Sequence, residues 1–328
     1  MTQAFNLSQF ANKVNTSGQA DLTTGVTGTL PIANGGTNNA SLAVTAGGTL
    51  YTDGSKVVNV GAGTSGQVLT SAGAGAPTWA TVAAGSPTVQ TYNTGTAATW
   101  TKPASANWVQ INIWSGGGGG SKHTSNSNSS GGGGGGFNTF IIPFSYFSAS
   151  TVTYTVGAAG SGATVNGDSG TDGGNSTVSI TNYNGTGKTA TFGVIGGYGG
   201  QYGGASAGGN GGGSYNTTPL NASGSGAVGF EGAKAYAGTS GNSAVYGGGS
   251  GGGTSAGASG GTSTFGGGGG GSCQGGAGTS YFAGNGGAGS ATNGAAAGVG
   301  VAPSGAGGGG WTANGGNGAA GRVQFIYW

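Results

Sequence analysis

The sequence contains one cysteine, Cys273, one methionine and one histidine, His123. A single cysteine excludes an intrachain disulfide framework, so stability has to come from packing, backbone hydrogen bonding or association of chains. Charge is equally scarce, with seven basic and five acidic residues among 328. The basic residues Lys13, Lys56, Lys102, Lys122, Lys188, Lys234 and Arg322 are scattered. No cluster of them could neutralise a phosphate backbone, so nucleic acid is not an expected partner. No stretch is apolar enough to span a bilayer, and the opening "MTQAFNLSQFANKVN" lacks the basic and long apolar regions of a signal peptide. Neither membrane insertion nor secretion by that route is expected.

The same scarcity weakens the enzymatic readings. His123 lies in "KHTSNSN" with no Cys or Asp within several residues, which fits a solvent-facing loop histidine. Gly204 to Gly208, "GASAG", matches the nucleophile-elbow string, but in so glycine-rich a region chance produces it, and no strand-to-helix context surrounds it. "NGTGKT" (Asn184 to Thr189) lacks the first glycine of a phosphate-binding loop, since Asn182 stands there, and "ATFGVI" follows it as a strand instead of a helix. Asp168 and Asp172 supply too few ligands for calcium, and Glu231 has no carboxylate nearby in sequence for glycosidase chemistry. The expectation is a chain that is not an enzyme, with no cofactor and no metal.

What the sequence has in abundance is glycine, 87 residues of it. Disordered chains are usually also highly charged and poor in aromatics, whereas this one carries twelve Tyr, eleven Phe and six Trp, mostly inside short runs of Val, Ile and Thr. Fifteen glycines precede Gly116 and the other 72 fall between Gly116 and Gly321. The C-terminal part is therefore a distinct unit, and it begins before the glycine does. In "NWVQINIW", Val109, Ile111 and Ile113 alternate with Gln110 and Asn112, the period-two pattern of a half-buried strand, and the closing "RVQFIYW" repeats it with Val323, Phe325 and Tyr327. Matching strands at the two ends predict that the first and last are neighbours. Between them "NTFIIPFSYF" (Asn138 to Phe147), "STVTYTV" (Ser150 to Val156), "NSTVSITNY" (Asn175 to Tyr183) and "KTATFGVI" (Lys188 to Ile195) have strand composition, the last two joined by an Asn184-Gly185 hairpin signal.

Large side chains are too few between Gly116 and Gly321 to order that stretch by their burial alone, so the backbone has to contribute. Glycine chains in the extended helix of three residues per turn can approach closely enough for lateral N–H to carbonyl bonds, which also satisfies the demand that buried backbone groups be paired. Glycine runs broken by short loops therefore predict a bundle of packed polyglycine helices. The N-terminal part differs: from Thr16 to Trp79 strands are short, as in "TLYTDGSKVVNV" with its Asp53-Gly54 turn, and apolar residues are too sparse for a core, so partner chains are expected. Leu7, Phe10, Ala11 and Val14 fall on helical spacing, read either as a short coupling or trimerisation helix or as a frayed terminus.

The runs "GTAATWTKPASANWVQINIWSGGGGG", "STVTYTVGAAGSG" and "GGGGWTANGGNGAAGRVQFIYW" resemble the glycine-rich C-terminal domain of bacteriophage tail fibre and adhesin proteins. "TTGVTGTLPIANGGTNNASL" and "GTSGQVLTSAGAGAPTWA" are similar to tail fibre shaft segments. The resemblance covers most of the chain and implies a mainly β, fibrous homotrimer that is a virion component: residues 1–85 as a virion-attachment and shaft segment, and residues 86–328 as a distal β plus polyglycine-helix domain. It also implies attachment to tail or baseplate proteins through the N-terminal segment and adhesion to a host surface polysaccharide or outer-membrane protein. The alternative is a structural virion appendage, a neck, head or baseplate fibre without a receptor. The insertion "SKHTSNSNSS" departs from relatives, which run on in glycine there, and is expected to be an exposed loop. Aromatic rings on glycine-framed loops, beside neutral hydrogen-bonding groups, suit sugars or protein loops unless they serve as wedges on the core. The candidate receptor-binding residues are Lys122, His123, Tyr215, Phe230, Tyr236, Tyr246 and Tyr281, from a wider set of rings that includes Tyr198, Tyr202, Phe282 and Trp311.

Overall fold

The structure, a computed structural model, describes residues 8, 11, 12, 14–19, 29–34, 36–81, 86–104, 106–125, 128–147, 150–203, 208–212, 214–217, 233 and 239–328. The chain divides into two compact units, Met1–Gly85 and Ser86–Trp328. Among the described residues it is mainly β with almost no helix, no closed barrel, and no helix long and apolar enough to cross a membrane. Of the four helically spaced residues near the start, Leu7 and Phe10 lie outside the described residues, while Ala11 is helical and exposed and Val14 is a bridge residue, half-buried.

The first unit is two hairpins, β1 (Thr49–Thr52) with β2 (Val57–Val60), and β3 (Gln67–Ala72) with β4 (Gly75–Thr81). The β1–β2 turn is closed by Asp53, whose Oδ1 accepts bonds from the backbone N–H of Ser55 and Lys56, 2.9 Å each, while Gly54 takes φ 92°, which favours glycine. Those bonds hold the Asp53 carboxyl below its ordinary value. Trp79 donates from Nε1 to the Gly61 carbonyl at 2.6 Å. No described residue of this unit is buried, and Leu50, Val68 and Leu69 are exposed.

The second unit contains β5 (Thr88–Tyr92), β6 (Ala98–Thr99), β7 (Trp108–Trp114), β8 (Lys122–His123), β9 (Phe137–Pro143), β10 (Val152–Thr155), β11 (Ser176–Ile180), β12 (Ala190–Val194), β13 (Ser214–Thr217), β14 (Gly310–Trp311) and β15 (Arg322–Tyr327). Two antiparallel sheets, in the orders β5-β15-β7-β9 and β13-β12-β11-β10-β6, enclose one core. Val109, Ile111 and Ile113 from β7 and Val323 and Phe325 from β15 meet Val152, Val178, Ile180 and Val194 from the other sheet. Trp100 lies flat on Phe325, ring centroids 4.2 Å apart and 4° from parallel. The first and last alternating segments are neighbours, β7 pairing with β15 over Trp114↔Arg322 to Val109↔Tyr327. The strand-like stretch from Asn138 to Phe147 is shorter than its composition implies. It ends at Pro143, and Phe144–Phe147 forms a 3-10 turn, because Pro143 cannot donate to the ladder. The segment from Asn175 to Ile195 is a β11–β12 hairpin whose connection is longer than two residues, passing through Asn182 and Asn184 at positive φ, a conformation asparagine tolerates.

The strands do not turn back at the sheet edge but continue as glycine runs. β7 leads into 115–121 and returns through 130–136 to β9; β10 and β11 are joined in the same way through 156–175, and β12 leads into 195–200. The hydrogen bonds of one run define the packing. Gly116, Gly119 and Lys122 donate to the carbonyls of Gly174, Thr171 and Asp168. Gly118 and Ser121 donate to Gly133 and Ser130, and Gly117 and Gly120 donate to Ala319 and Gly316. In return Gly197 and Gly200 donate to Gly116 and Gly119, Gly160 and Ala163 to Gly117 and Gly120, and Gly307 and Gly310 to Gly118 and Ser121. This run thus bonds every third residue to the same neighbour and has six neighbours in all, whereas a run at the edge of the bundle such as 284–290 has fewer. A Cβ on a run glycine would lie closer than 3.0 Å to a neighbour's backbone, as at Gly133 against Asn210 or Gly118 against Tyr198. Serines replace glycine where a hydroxyl finds a carbonyl, as Ser176 does at Trp114 (2.7 Å) and Ser304 at Ser115 (2.6 Å).

Candidate functional site

The runs have two ends. At the end away from the sheets the turns among the described residues are 122–125 with 128–129, 164–169, 201–203, 254–258, 273–275, 290–295 and 311–314. Lys122 and His123 sit there, held as β8 beside β14 in parallel register, Lys122 with Gly310 and His123 with Trp311. Both side chains are engaged. Lys122 Nζ donates to the Thr164 carbonyl at 2.8 Å and to Asn314 Oδ1 at 3.0 Å, and His123 Nδ1 accepts from the Ser125 N–H at 2.9 Å. The His123 ring stacks on Tyr202, centroids 5.9 Å apart and 18° from parallel. Trp311 Nε1 donates to the Thr124 carbonyl at 3.2 Å, Asn166 Oδ1 accepts from the Thr124 N–H at 2.8 Å, and the Thr312 hydroxyl donates to Asn293 Oδ1. One cation, two aromatic rings and several amides therefore lie on one rigid platform. Beside it opens a cleft of about 420 Å³ lined by Thr164, Val299, Asn314 and Asn317 among others. Two of its lining residues, Thr164 and Asn314, are the ones that accept from Lys122.

The insertion Ser121 to Ser130 is not wholly an exposed loop. Ser121, Ser129 and Ser130 are fully buried, because they extend the runs: the Ser121 hydroxyl accepts from the Ser130 N–H at 2.7 Å, and the Ser130 hydroxyl donates to the Gln201 carbonyl at 2.5 Å. Lys122 and His123 are half-buried. Of the described residues of the insertion only Thr124 is exposed, and Asn126 and Ser127 lie outside the described residues.

The other candidates do not join this end. Tyr246 belongs to a ladder at the end next to the sheets, where it stacks on Phe265 (5.0 Å, 8°), and Phe265 stacks on Phe282 (4.9 Å, 10°). That ladder rests on Phe137 and Trp114, so Tyr246 is a packing ring. Tyr281 is beside it but 85% exposed. The backbone of Tyr215 is in β13, opposite Gly193, and Phe230 and Tyr236 lie outside the described residues. The residues that the site uses and that no motif pointed to are Thr164, Asn166, Asn293 and Asn314. Their amides and carbonyls are ordinary turn chemistry, and only the run register brings them together. The repeat behind the ladder was visible as Ala244, Ser263 and Ser280, each two residues before an aromatic ring and joined by parallel bridges.

Among the described residues no group of three or more metal-ligating side chains occurs. Cys273 is fully buried, and burial pushes its thiol up to about 11, which leaves it protonated and unreactive at neutral pH. The chain matches the glycine-rich domain family over residues 90–328, and no curated protein matches it.

Proposed function

The chain belongs to the glycine-rich domain family, and we propose that it is a phage tail fibre protein, a homotrimer on the virion that attaches the particle to a host surface polysaccharide or outer-membrane protein through the far end of its glycine domain. The single observation that carries this reading is the platform around Lys122, His123, Tyr202 and Trp311 with its neighbouring cleft: aromatic faces and neutral hydrogen-bonding groups held by hydrogen bonds on the ends of the packed runs. Rigid presentation lowers the ordering cost of binding, and three copies on one fibre, with several fibres on a particle, multiply weak contacts into stable adhesion. The glycine runs are packed polyglycine helices in this reading, since the period of three in their hydrogen bonds is that of the extended threefold helix. The unit Met1–Gly85, which buries none of its described residues, is the shaft that joins three chains and links them to the tail or baseplate. The groups of the platform serve binding without a chemical step. Purified protein competing with phage for adsorption to host cells is the test. Saturable competition is expected, and its absence would leave a structural appendage of the virion instead.

A further inference from the structure

The outer face of the four-stranded sheet is built to be covered. Because Val109, Ile111 and Ile113 point into the core, Trp108, Gln110 and Asn112 lie on the opposite face. Across the register, Val89, Ile326, Gln110 and Ile141 form one row, and Thr91, Gln324, Asn112 and Thr139 form the next. The second row is bonded along its length, and Gln110 of the first row joins it: Asn112 Nδ2 donates to Gln324 Oε1 (3.1 Å), Gln324 Nε2 to Thr91 Oγ1 (3.2 Å), Thr139 Oγ1 to Asn112 Oδ1 (2.6 Å), and Gln110 Nε2 to Asn112 Oδ1 (3.0 Å). Polar groups already paired lose little when water is removed. Beyond them the face is apolar and open, with Val89 53%, Ile141 57%, Trp108 43% and Trp328 37% exposed. Scattered apolar residues are ordinary, but a contiguous group of them marks a contact surface.

We propose that this face packs against the same sheet of other copies of this chain. The face is neutral except for Arg322, which is itself bonded to Asn93 Oδ1 at 2.9 Å, so apposed copies meet almost no like-charge repulsion. The proposal rests on the trimeric reading above. The hairpin unit buries none of its described residues and needs partner chains, and the edge strand β5 starts at Thr88, seven residues after β4 ends at Thr81. The two units are parts of one chain, so copies joined through their hairpins raise the effective concentration of one another's sheets.

Cysteine pairing in the full chain tests it, because the only native thiol, Cys273, is buried. In the double variant Val89→Cys/Ile141→Cys the two positions lie on the opposite edge strands β5 and β9, three strand spacings or about 14 Å apart. That exceeds the roughly 7 Å Cα limit of a disulfide, so any bond formed joins different chains. Mild oxidation of dilute protein should convert most of it to covalent dimers and trimers, while a control, Asn184→Cys in the exposed β11–β12 turn, stays uncrosslinked. Light scattering of the reduced double variant separates the two readings: a trimer without crosslinks overturns the sheet contact alone, and a monomer overturns both. An independent reading uses the unsubstituted protein, where radical footprinting should spare Trp108, Trp328 and Ile141 while labelling Tyr281; equal labelling of all four would overturn the proposal.

Discussion

The two units solve the same problem, a chain with few large side chains, in opposite ways. In Met1–Gly85 the hairpins satisfy their own ladders but bury no described residue, and Leu50, Val68 and Leu69 are left exposed. In Ser86–Trp328 the glycine runs are buried more completely than many cores, although what they bury is backbone. The difference lies in the absence of Cβ: a run glycine contacts neighbouring carbonyls on every side, whereas the turn glycines Gly54, Gly66 and Gly73 have open space where a Cβ would stand. Glycine serves conformation in the turns of both units, as at Gly54 and Gly257, and proximity in the runs.

The substitution Gly133→Val should break this distinction most severely. A Cβ there would meet the backbone of Asn210 and Gly209 closer than 3.0 Å, and rigid backbone has no rotamer in which to retreat. Overpacking a core costs about 1–3 kcal/mol and occasionally more; here two runs would have to separate and lose their lateral bonds, so the C-terminal unit should melt far below the parent or fail to fold. The matched control is Gly276→Ala, whose Cβ would meet only the Ser259 side chain, at 3.3 Å and 4.0 Å; its melting temperature should stay within a few degrees of the parent's. Equal behaviour of the two variants would mean that the runs are not packed against each other.

A smaller effect belongs to the serines that join successive turns of the ladder. Ser263 donates from its hydroxyl to the Gly247 carbonyl at 2.7 Å and accepts from the Gly266 N–H at 2.9 Å, and it is buried. Ser263→Ala keeps the volume nearly constant but leaves one donor and one acceptor unpaired, a loss of about 1–3 kcal/mol, measured by denaturant unfolding. The open hairpin unit provides the contrast: Ser71→Ala removes only an exposed 3.3 Å bond to the Gly73 N–H and should cost less than about 0.5 kcal/mol.

How far the sequence could be read follows the same division. Period-two alternation in 108–114 and 322–327 located β7 and β15 and their pairing, because side chains on a half-buried strand must alternate. The composition of the glycine runs implied close packing of backbones. It could not give the neighbours: Gly116, Gly119 and Lys122 bond to 168–174, and Gly117 and Gly120 to 316–319, yet every residue involved is small or bonds through its backbone, so no side-chain pattern encodes the register. For the same reason Lys122 and His123 could be singled out as unusual residues while their partners Thr164, Asn314 and Tyr202 could not. For Tyr246 the sequence could not give the stacking on Phe265, because a ring framed by glycine looks the same whether it packs on another ring or faces outward.

Cys273 offers a milder probe of the runs. Burial pushes its folded thiol up to about 11 from an ordinary value of 9.0, and a raised pKa in the folded state means that the protonated form is favoured there. The contribution is fully present below pH 9 and is lost as the pH rises from about 9 through 11. Stability of the C-terminal unit should therefore decline modestly over that window, with Cys273→Ser showing a flatter profile. At pH 8 a thiol reagent should find no reactive group until denaturant is added. Rapid native labelling would mean that the runs around residue 273 open freely.

The smallest effect should come from the far end itself. The turn Thr124 to Asn128 sits between anchored ends: Ser121 and Ser130 are locked to each other, and His123 is fixed against Tyr202 and Trp311. Among its described residues the turn makes exposed or half-buried bonds that include the Thr124 N–H to Asn166, Trp311 to the Thr124 carbonyl, the Ser125 N–H to His123 Nδ1 and the Gly203 N–H to the Asn128 carbonyl. On the turn's side each of these uses backbone, which any residue other than proline can supply. Replacing Thr124 to Asn128 with a Gly-Ser segment of equal length, and keeping Ser129 and Ser130, should move the melting temperature by no more than a degree or two, since surface changes away from buried partners usually lie within about 0.5 kcal/mol. Extending the replacement to Ser121 and Ser130 should instead lower it clearly, because those two hydroxyls are buried among carbonyls. Host-cell adsorption then separates scaffold from surface. A turn that contacts the receptor loses binding in the shorter swap without losing the fold, whereas a mere spacer leaves adsorption at the parental level and moves the contact to the cleft beside Asn314.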